Sequence, residues 1–404
     1  GARRATALPP HWAREGNVPM WAREPYRLFF PLGVIAGILG VSLWGLLYGG
    51  VLPWYPATAH ARIMVAGFMG AFIIGFLGTA FPRLVGAPPC SKPEIGLLAG
   101  LWVIAIACHA TNRIAAGDVW FAITLVALVH FLGARWMFLA KDVPPPGFPL
   151  AALGVFGGTA AAVTMACGAL VNFSSFTDKF ALLMFYQGLP ILPILGVAPF
   201  LWPRFFGHPS PHHFEESTSL PEGWKSKAYL ALAIGLMMIG TWAWEAAGNI
   251  AAAHAARALV VLIWAAFLTP VLRPAARPGS AANALRWAVI SIVGGCLLAA
   301  AYPGARIGSI HFVLVSGIGL TTLVVGSRVV LGHAGRITEI NGKLVWLRWI
   351  TGLLLFAAAT RATVDFVPKV KVSHHLYAMA LWIIVSLIWM IRMRRCWAEK
   401  DSEE

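Results

Sequence analysis

The chain has 404 residues, 59% of them hydrophobic and 12% charged, with a mean hydropathy of +0.74. A soluble domain carries about 25% charged residues; a chain this apolar has too little polar surface to face water, so its solvent is a bilayer. The formal net charge of +15 would suit nucleic acid, but Lys and Arg sit in short loops between apolar runs, which is a topology signal and argues against a nucleic-acid partner.

Residues 1–27, "GARRATALPPHWAREGNVPMWAREPYR", are basic and Pro-containing. They lack the apolar stretch of a secretory signal and are expected to form a cytoplasmic segment. A spanning helix needs roughly 20 apolar residues. Such runs lie near 28–50, 60–82, 95–112, 117–139, 148–171, 180–203, 226–246, 250–270, 284–303, 309–332, 343–364 and 374–393. The breaks carry turn chemistry, as in "GAPPCSKP", "KDVPPPGFP" and "RPAARPGS". The expected fold is all-α: a polytopic membrane helix bundle of about 12 transmembrane helices over 28–395, with 396–404 as a second cytoplasmic tail. Gly33/Gly37 and Gly45/Gly49 are spaced for close helix approach. No repeat between the two halves of the chain is visible.

With twelve spans, 23 Lys and Arg fall on the side of the termini and 6 on the other, while Arg62 and Arg257 lie inside spans. The positive-inside rule then puts both termini in the cytoplasm. It also gives each histidine a depth. His60 opens the second span at its outer end, His109 closes the third, His254 opens the eighth, His311 the tenth, and His374 and His375 the twelfth. His333 ends the tenth span on the cytoplasmic side, His130 lies within the fourth, and His208, His212 and His213 belong to a cytoplasmic loop.

Neutral imidazole is the commonest biological metal ligand, so outer-end histidines from several helices are candidates to hold a metal or a haem. An imidazole at a membrane interface also serves simply by facing headgroups. His60 and His311 make the best pair, because each starts a glycine-rich helix ("HARIMVAGFMGAF", "HFVLVSGIGL") against which a flat macrocycle can lie. His254, His374 and His375 are candidates to complete a second site. Arg62 and Arg257, charged within spans, need a partner. That partner is either a haem propionate, held through bidentate hydrogen bonds, or a carboxylate such as Glu245, Asp118, Asp178 or Asp365. Five scattered cysteines without CxxC or CxxCH exclude covalently attached c-type haem, so a haem here would be haem b.

"HARIMVAGFMGAFIIGFLGTAFPRLVGAPP" resembles the signature helix of the NnrS family, in which a His-x-His-Glu-Met opening leads through Gly-Phe to a Thr-Ala-x-Pro exit. "IHFVLVSGIGLTTLVVGSRVVLGHAGR" is similar to the family's second signature, and "YRLFFPLGVIAGILGVSLW" to its first helix. The resemblance implies a bacterial inner-membrane protein with haem and copper, acting in the response to nitric oxide. It implies that His60 stands at the first His of the opening, and His311, Arg328, His333 and Arg336 at matching positions of the second signature. His60, His311, His333, His374 and His375 are then the candidate metal ligands. Arg62, Arg257, His254 and Arg328 are candidate contacts of the cofactor. At the second His of the opening this chain has Arg62, at the Glu it has Ile63, and at the Thr of the exit Ala334. A copper site that needs both histidines is therefore incomplete here.

Three functions follow from these readings. The first is a haem b protein near the periplasmic face that binds or reduces nitric oxide, or passes electrons from a donor, as a haem-dependent oxidoreductase. The second is a twelve-helix transporter of a small solute or metal, with Pro190 and Pro193 as a break in the sixth span. The third is a distant relative of the haem-copper oxidase and nitric oxide reductase core, which needs histidines in the sixth and seventh spans that this chain lacks.

Overall fold

A computed structural model describes residues 19–209, 218–277, 279–397 and 399. His11, His212 and His213 lie outside the described residues. The structure is helical, with no strand among the described residues. Among the described residues, eleven helices are long and apolar enough to cross a membrane: α1 (Tyr26–Tyr48), α2 (Ala57–Leu84), α3 (Lys92–Ala110), α4 (Ile114–Leu139), α5 (Phe148–Cys167), α6 (Ser175–Phe205), α7 (Trp224–Ala246), α8 (Ile250–Leu268), α9 (Ser280–Ala301), α10 (Pro303–His333) and one at Pro368–Met393. Between the last two lies α11 (Val345–Phe366), 22 residues long. It carries Arg348, Arg361 and Asp365, which take it below the apolarity of the others. Pro368–Met393 is therefore α12.

Helices α2, α6 and α10 form the centre. They are the most buried of the apolar helices, at 78, 72 and 67%, against 28 to 50% for the others. They are also the longest, at 28, 31 and 31 residues. A rise of about 1.5 Å per residue makes them over ~40 Å long, more than the ~30 Å of a hydrocarbon core. Each inner helix packs most closely on the helix before it: α2 on α1, α6 on α5, α10 on α9. Neighbouring units meet through α4 with α5, α8 with α9, and α12 with α1. The bundle is thus three arcs of four helices arranged as a closed ring around an inner triangle.

The repeat extends to backbone detail. Each inner helix contains a π-helical stretch, Ile63–Met69 in α2, Met184–Gly188 in α6 and Phe312–Gly319 in α10. Each ends two residues before a left-handed glycine, Gly86, Gly207 or Gly335, with φ of 64°, 75° and 69°. The π stretches start at the same number of residues before those glycines. Left-handed backbone strains most residues with a Cβ, so glycine is favoured at each exit. The α3–α4 and α7–α8 turns also match. Asn112 and Gly248 are both left-handed, and the residues that follow, Arg113 and Asn249, sit at φ/ψ of −86°/64° and −87°/65°. The period is a third of the chain, so a comparison of halves does not find it.

Helix ends lie further out than the apolar runs suggest. His60, His254, His311 and His375 sit one or two turns inside their helices rather than at the first residue. The preceding segments, such as "PGARIGSI" before His311, form helix without being strongly apolar. Pro190 and Pro193 do not interrupt α6, which is helical throughout Ser175–Phe205. A proline deprives the carbonyl four residues earlier of its donor. For Pro199 that carbonyl belongs to Leu195, and the indole nitrogen of Trp264 supplies the missing bond at 2.9 Å. In the π stretch of α2, the carbonyl of Ala66 is likewise bonded by Trp102 of α3 at 2.9 Å.

Close approach of α5 and α6 rests on Gly196. A Cβ added there would lie 2.8 Å from both Gly147 O and Ala151 Cβ. Gly196→Ala is expected to cost about 1–3 kcal/mol by overpacking, read as a lower unfolding midpoint in detergent. Gly100→Ala, with open space around it, is the control and should leave the midpoint unchanged.

Candidate functional site

A cavity of about 600 Å³ opens among the first turns of α2, α6 and α10, at the Lys/Arg-poor end of the bundle. Four of the histidines singled out by the sequence line it: His60, His254, His311 and His375, from α2, α8, α10 and α12. Much of the remaining wall is apolar, including Trp44, Met64, Leu183 and Trp382, while Lys179, Arg306 and Arg361 also line it.

The ring nitrogens distinguish these histidines. His60 Nδ1 lies 2.9 Å from the carbonyl of Gly40 on α1. Gly40 permits this approach, since a Cβ there would meet Ile63 and Met64 at 3.1 Å. His311 Nδ1 lies 2.6 Å from Ile307 O. A carbonyl only accepts, so Nδ1 carries the proton in both rings and Nε2 keeps a lone pair. His375 Nδ1 is held by Tyr48 Oη at 2.8 Å, and its Nε2 is buried without a hydrogen-bond partner. Trp44 stands between two of the rings, with its ring centroid 5.9 Å from that of His60 and 4.5 Å from that of His375. His60 and His311 therefore each have Nδ1–H fixed by a carbonyl and Nε2 free to ligate, and His375 matches them in the tautomer whose Nδ1–H donates to Tyr48, the arrangement that orients metal-binding histidines.

His254 differs. Arg257 Nη1 is 3.3 Å from its Nδ1; guanidinium only donates, so Nδ1 accepts and the proton sits on Nε2. That nitrogen is 3.4 Å from Glu245 Oε1, longer than an ordinary hydrogen bond. His254 is thus a neutral ring packed against the Arg257–Glu245 ion pair. Arg257, 1% exposed, donates to Glu245 Oε2 at 2.8 Å, Gln187 Oε1 at 3.1 Å and Thr241 Oγ1 at 3.1 Å.

Arg62 is held in the same way in the first arc. It forms a two-pronged pair with Asp118, at 2.7 and 3.1 Å, and donates to the Tyr186 hydroxyl. His109 Nε2 is 3.1 Å from the same carboxylate. His109 and Asp118 have the same sequence separation as Glu245 and His254, across matching turns. Both intraspan arginines are therefore paired with carboxylates inside the protein. The Arg257–Glu245 pair is among the alternatives expected from sequence, and Asp118 is the candidate acid that takes Arg62. In the third arc Arg361 pairs with Asp365 at 3.0 Å, and Asp365 also accepts from Gly308 N at 2.6 Å.

The remaining candidates lie elsewhere. His374, next to His375 in sequence, is outside the cavity lining; Ser373 Oγ is 3.2 Å from its Nδ1 and its ring neighbours Tyr377. His333 is at the opposite end of α10, with Nδ1 2.9 Å from Glu24 Oε1 and 3.1 Å from Arg83 Nη1. Arg328 is also in that half, its guanidinium 5.1 Å from the Phe205 ring centroid. Among the described residues no three His, Cys, Asp or Glu side chains form a metal cluster. Sequence reasoning missed Tyr48, Trp44, Gln187 and Tyr186. Tyr186 and Gln187 lie on the π stretch of α6, and Pro190 just after it was the local signal.

A ring of helices long and apolar enough to cross a membrane, with a histidine-lined cavity at one end, defines a polytopic membrane protein. The chain matches the family model described as "NnrS protein" over residues 20–399 and belongs to that family. No curated protein matches it.

Proposed function

We propose that this chain is a membrane haem b protein of nitric oxide handling, with the haem in the histidine-lined cavity near the periplasmic face of a bacterial inner membrane. The observation that carries this is the state of three rings from three helices. His60, His311 and His375 have Nδ1 fixed, and Nε2 without a partner in the protein, at a cavity of about 600 Å³. Ligand pockets run to about 300–1,000 Å³, so the volume suits a macrocycle. Family membership supports the haem, and the Lys/Arg asymmetry between the two sides supports the periplasmic placement.

A haem would supply an iron that binds nitric oxide and exchanges electrons. The protein's part is to hold and shield it. His60, His311 and His375 offer the axial nitrogens, and Gly40, Ile307 and Tyr48 fix the planes of those rings. Arg306 and Lys179 line the same cavity and offer charge to propionates, while Arg361 is paired with Asp365. The apolar walls favour a neutral diatomic over a charged ligand. Arg62 and Arg257 instead neutralise Asp118 and Glu245. A copper site that uses the second histidine of the family opening is incomplete, because that position is Arg62 and its guanidinium is committed to Asp118.

The test is the visible spectrum of the detergent-purified protein, oxidised, reduced, and reduced plus nitric oxide. A Soret band that shifts with nitric oxide is expected. A pure protein without a Soret band would overturn the reading and return the cavity to a transported solute.

A further inference from the structure

A second cavity, of about 70 Å³, lies between α2, α6 and α10, one or two turns further along the bundle axis. Its walls include Phe72, Ile73, Val197, Ala198, Val325 and Gly326. Its polar side-chain atoms are few and mostly committed. The Thr321 hydroxyl donates to Gly317 O at 2.9 Å, and Thr322 Oγ1 lies 3.6 Å from Met69 Sδ. That leaves the Trp202 indole, a single donor. A buried water needs about two to four polar partners, and cavities without them stay dry and take up xenon or benzene. The volume exceeds the roughly 30 Å³ of one liquid water, enough for a diatomic molecule.

Met69 lines this cavity and also the histidine cavity. It is the side chain the two share, and a methionine thioether is flexible and adapts to what packs against it. The α2 and α6 walls include Ile73, Phe76, Ile194 and Leu201, which are only part-buried.

We infer that this cavity is a docking site for a small apolar gas, which Met69 passes to the histidine cavity. Met69 acts as the gate, since its displacement joins the two spaces. That the gas reacts further on rests on the haem reading; that it is bound here does not.

The probe is xenon, which reports binding without any haem chemistry. Crystals of the full chain pressurised with xenon should show it between Val197, Ala198 and Val325. Ala198→Leu, and separately Val325→Leu, should fill the space and remove the xenon while leaving the unfolding midpoint near that of the parent. Absence of xenon in the parent, a lipid chain or ordered water in its place, or xenon unaffected in both variants would overturn the proposal. Xenon bound in a protein without a Soret band would sink the haem reading and leave the docking site standing. A Soret band without xenon would do the reverse.

Discussion

Replacing His311 or His60 with alanine is expected to strip the proposed haem from the purified protein. Each substitution removes a nitrogen that the backbone holds ready to ligate, at Ile307 O and Gly40 O. Loss of a partner behind a metal-binding histidine costs about 10–100-fold in affinity; loss of the ligand itself should exceed the upper end. Tyr48→Phe, which removes the partner of His375 Nδ1, should fall within that range. His374→Ala and His333→Ala are the controls. One faces Tyr377 and the other sits with Glu24, so both should retain the full complement of haem. The readout is the ratio of Soret to protein absorbance after purification. Unfolding midpoints of the apoproteins separate loss of a ligand from loss of fold. Full haem retention in both His60→Ala and His311→Ala would defeat the ligand assignment.

Arg257→Met should be among the most destabilising single changes in the bundle. Its guanidinium is 1% exposed and bonded to Glu245 at 2.8 Å. Removing one partner of a buried pair costs about 3–5 kcal/mol, because the other charge is left uncompensated, whereas replacing both by apolar residues is often close to neutral. Arg257→Met combined with Glu245→Leu should therefore recover most of the loss. Thermal unfolding in detergent measures both. A single variant as stable as the parent would mean that Glu245 finds another cation, and the pair would then be no part of the frame.

The spans were legible in the sequence because the bilayer imposes a length and an apolarity that few other structures share. The alternation of Lys and Arg between loops put six histidines at one end of the bundle before any contact was known, and four of them, His60, His254, His311 and His375, line the cavity. The identity of the inner helices was not legible. Burial of α2, α6 and α10 depends on neighbours distant in sequence, and apolar residues serve equally well against lipid or protein. The threefold repeat did leave traces. "PRLVGAP" at 82–88 and "PRFFGHP" at 203–209 mark the exits of α2 and α6. "HATNRIAAGD" at 109–118 and "EAAGNIAAAH" at 245–254 mark the matching turns. In the site, Trp44, Tyr48 and Gly40 act through contacts between α1 and helices α2 and α12, which no local pattern announces.

An even number of helices per arc has a consequence for the potential inside the cavity. Each unit starts on the same side as the one before, so α2, α6 and α10 run in the same direction. Their N-terminal turns line the cavity, with His60 about one turn and His311 about two turns further in. Each such end carries roughly half a positive elementary charge from aligned peptide dipoles. Three of them converge where the surroundings are mostly apolar and screening is weak. The backbone itself therefore favours the electron-rich end of a neutral guest in this space, and it does so with no side chain that a mutation can remove.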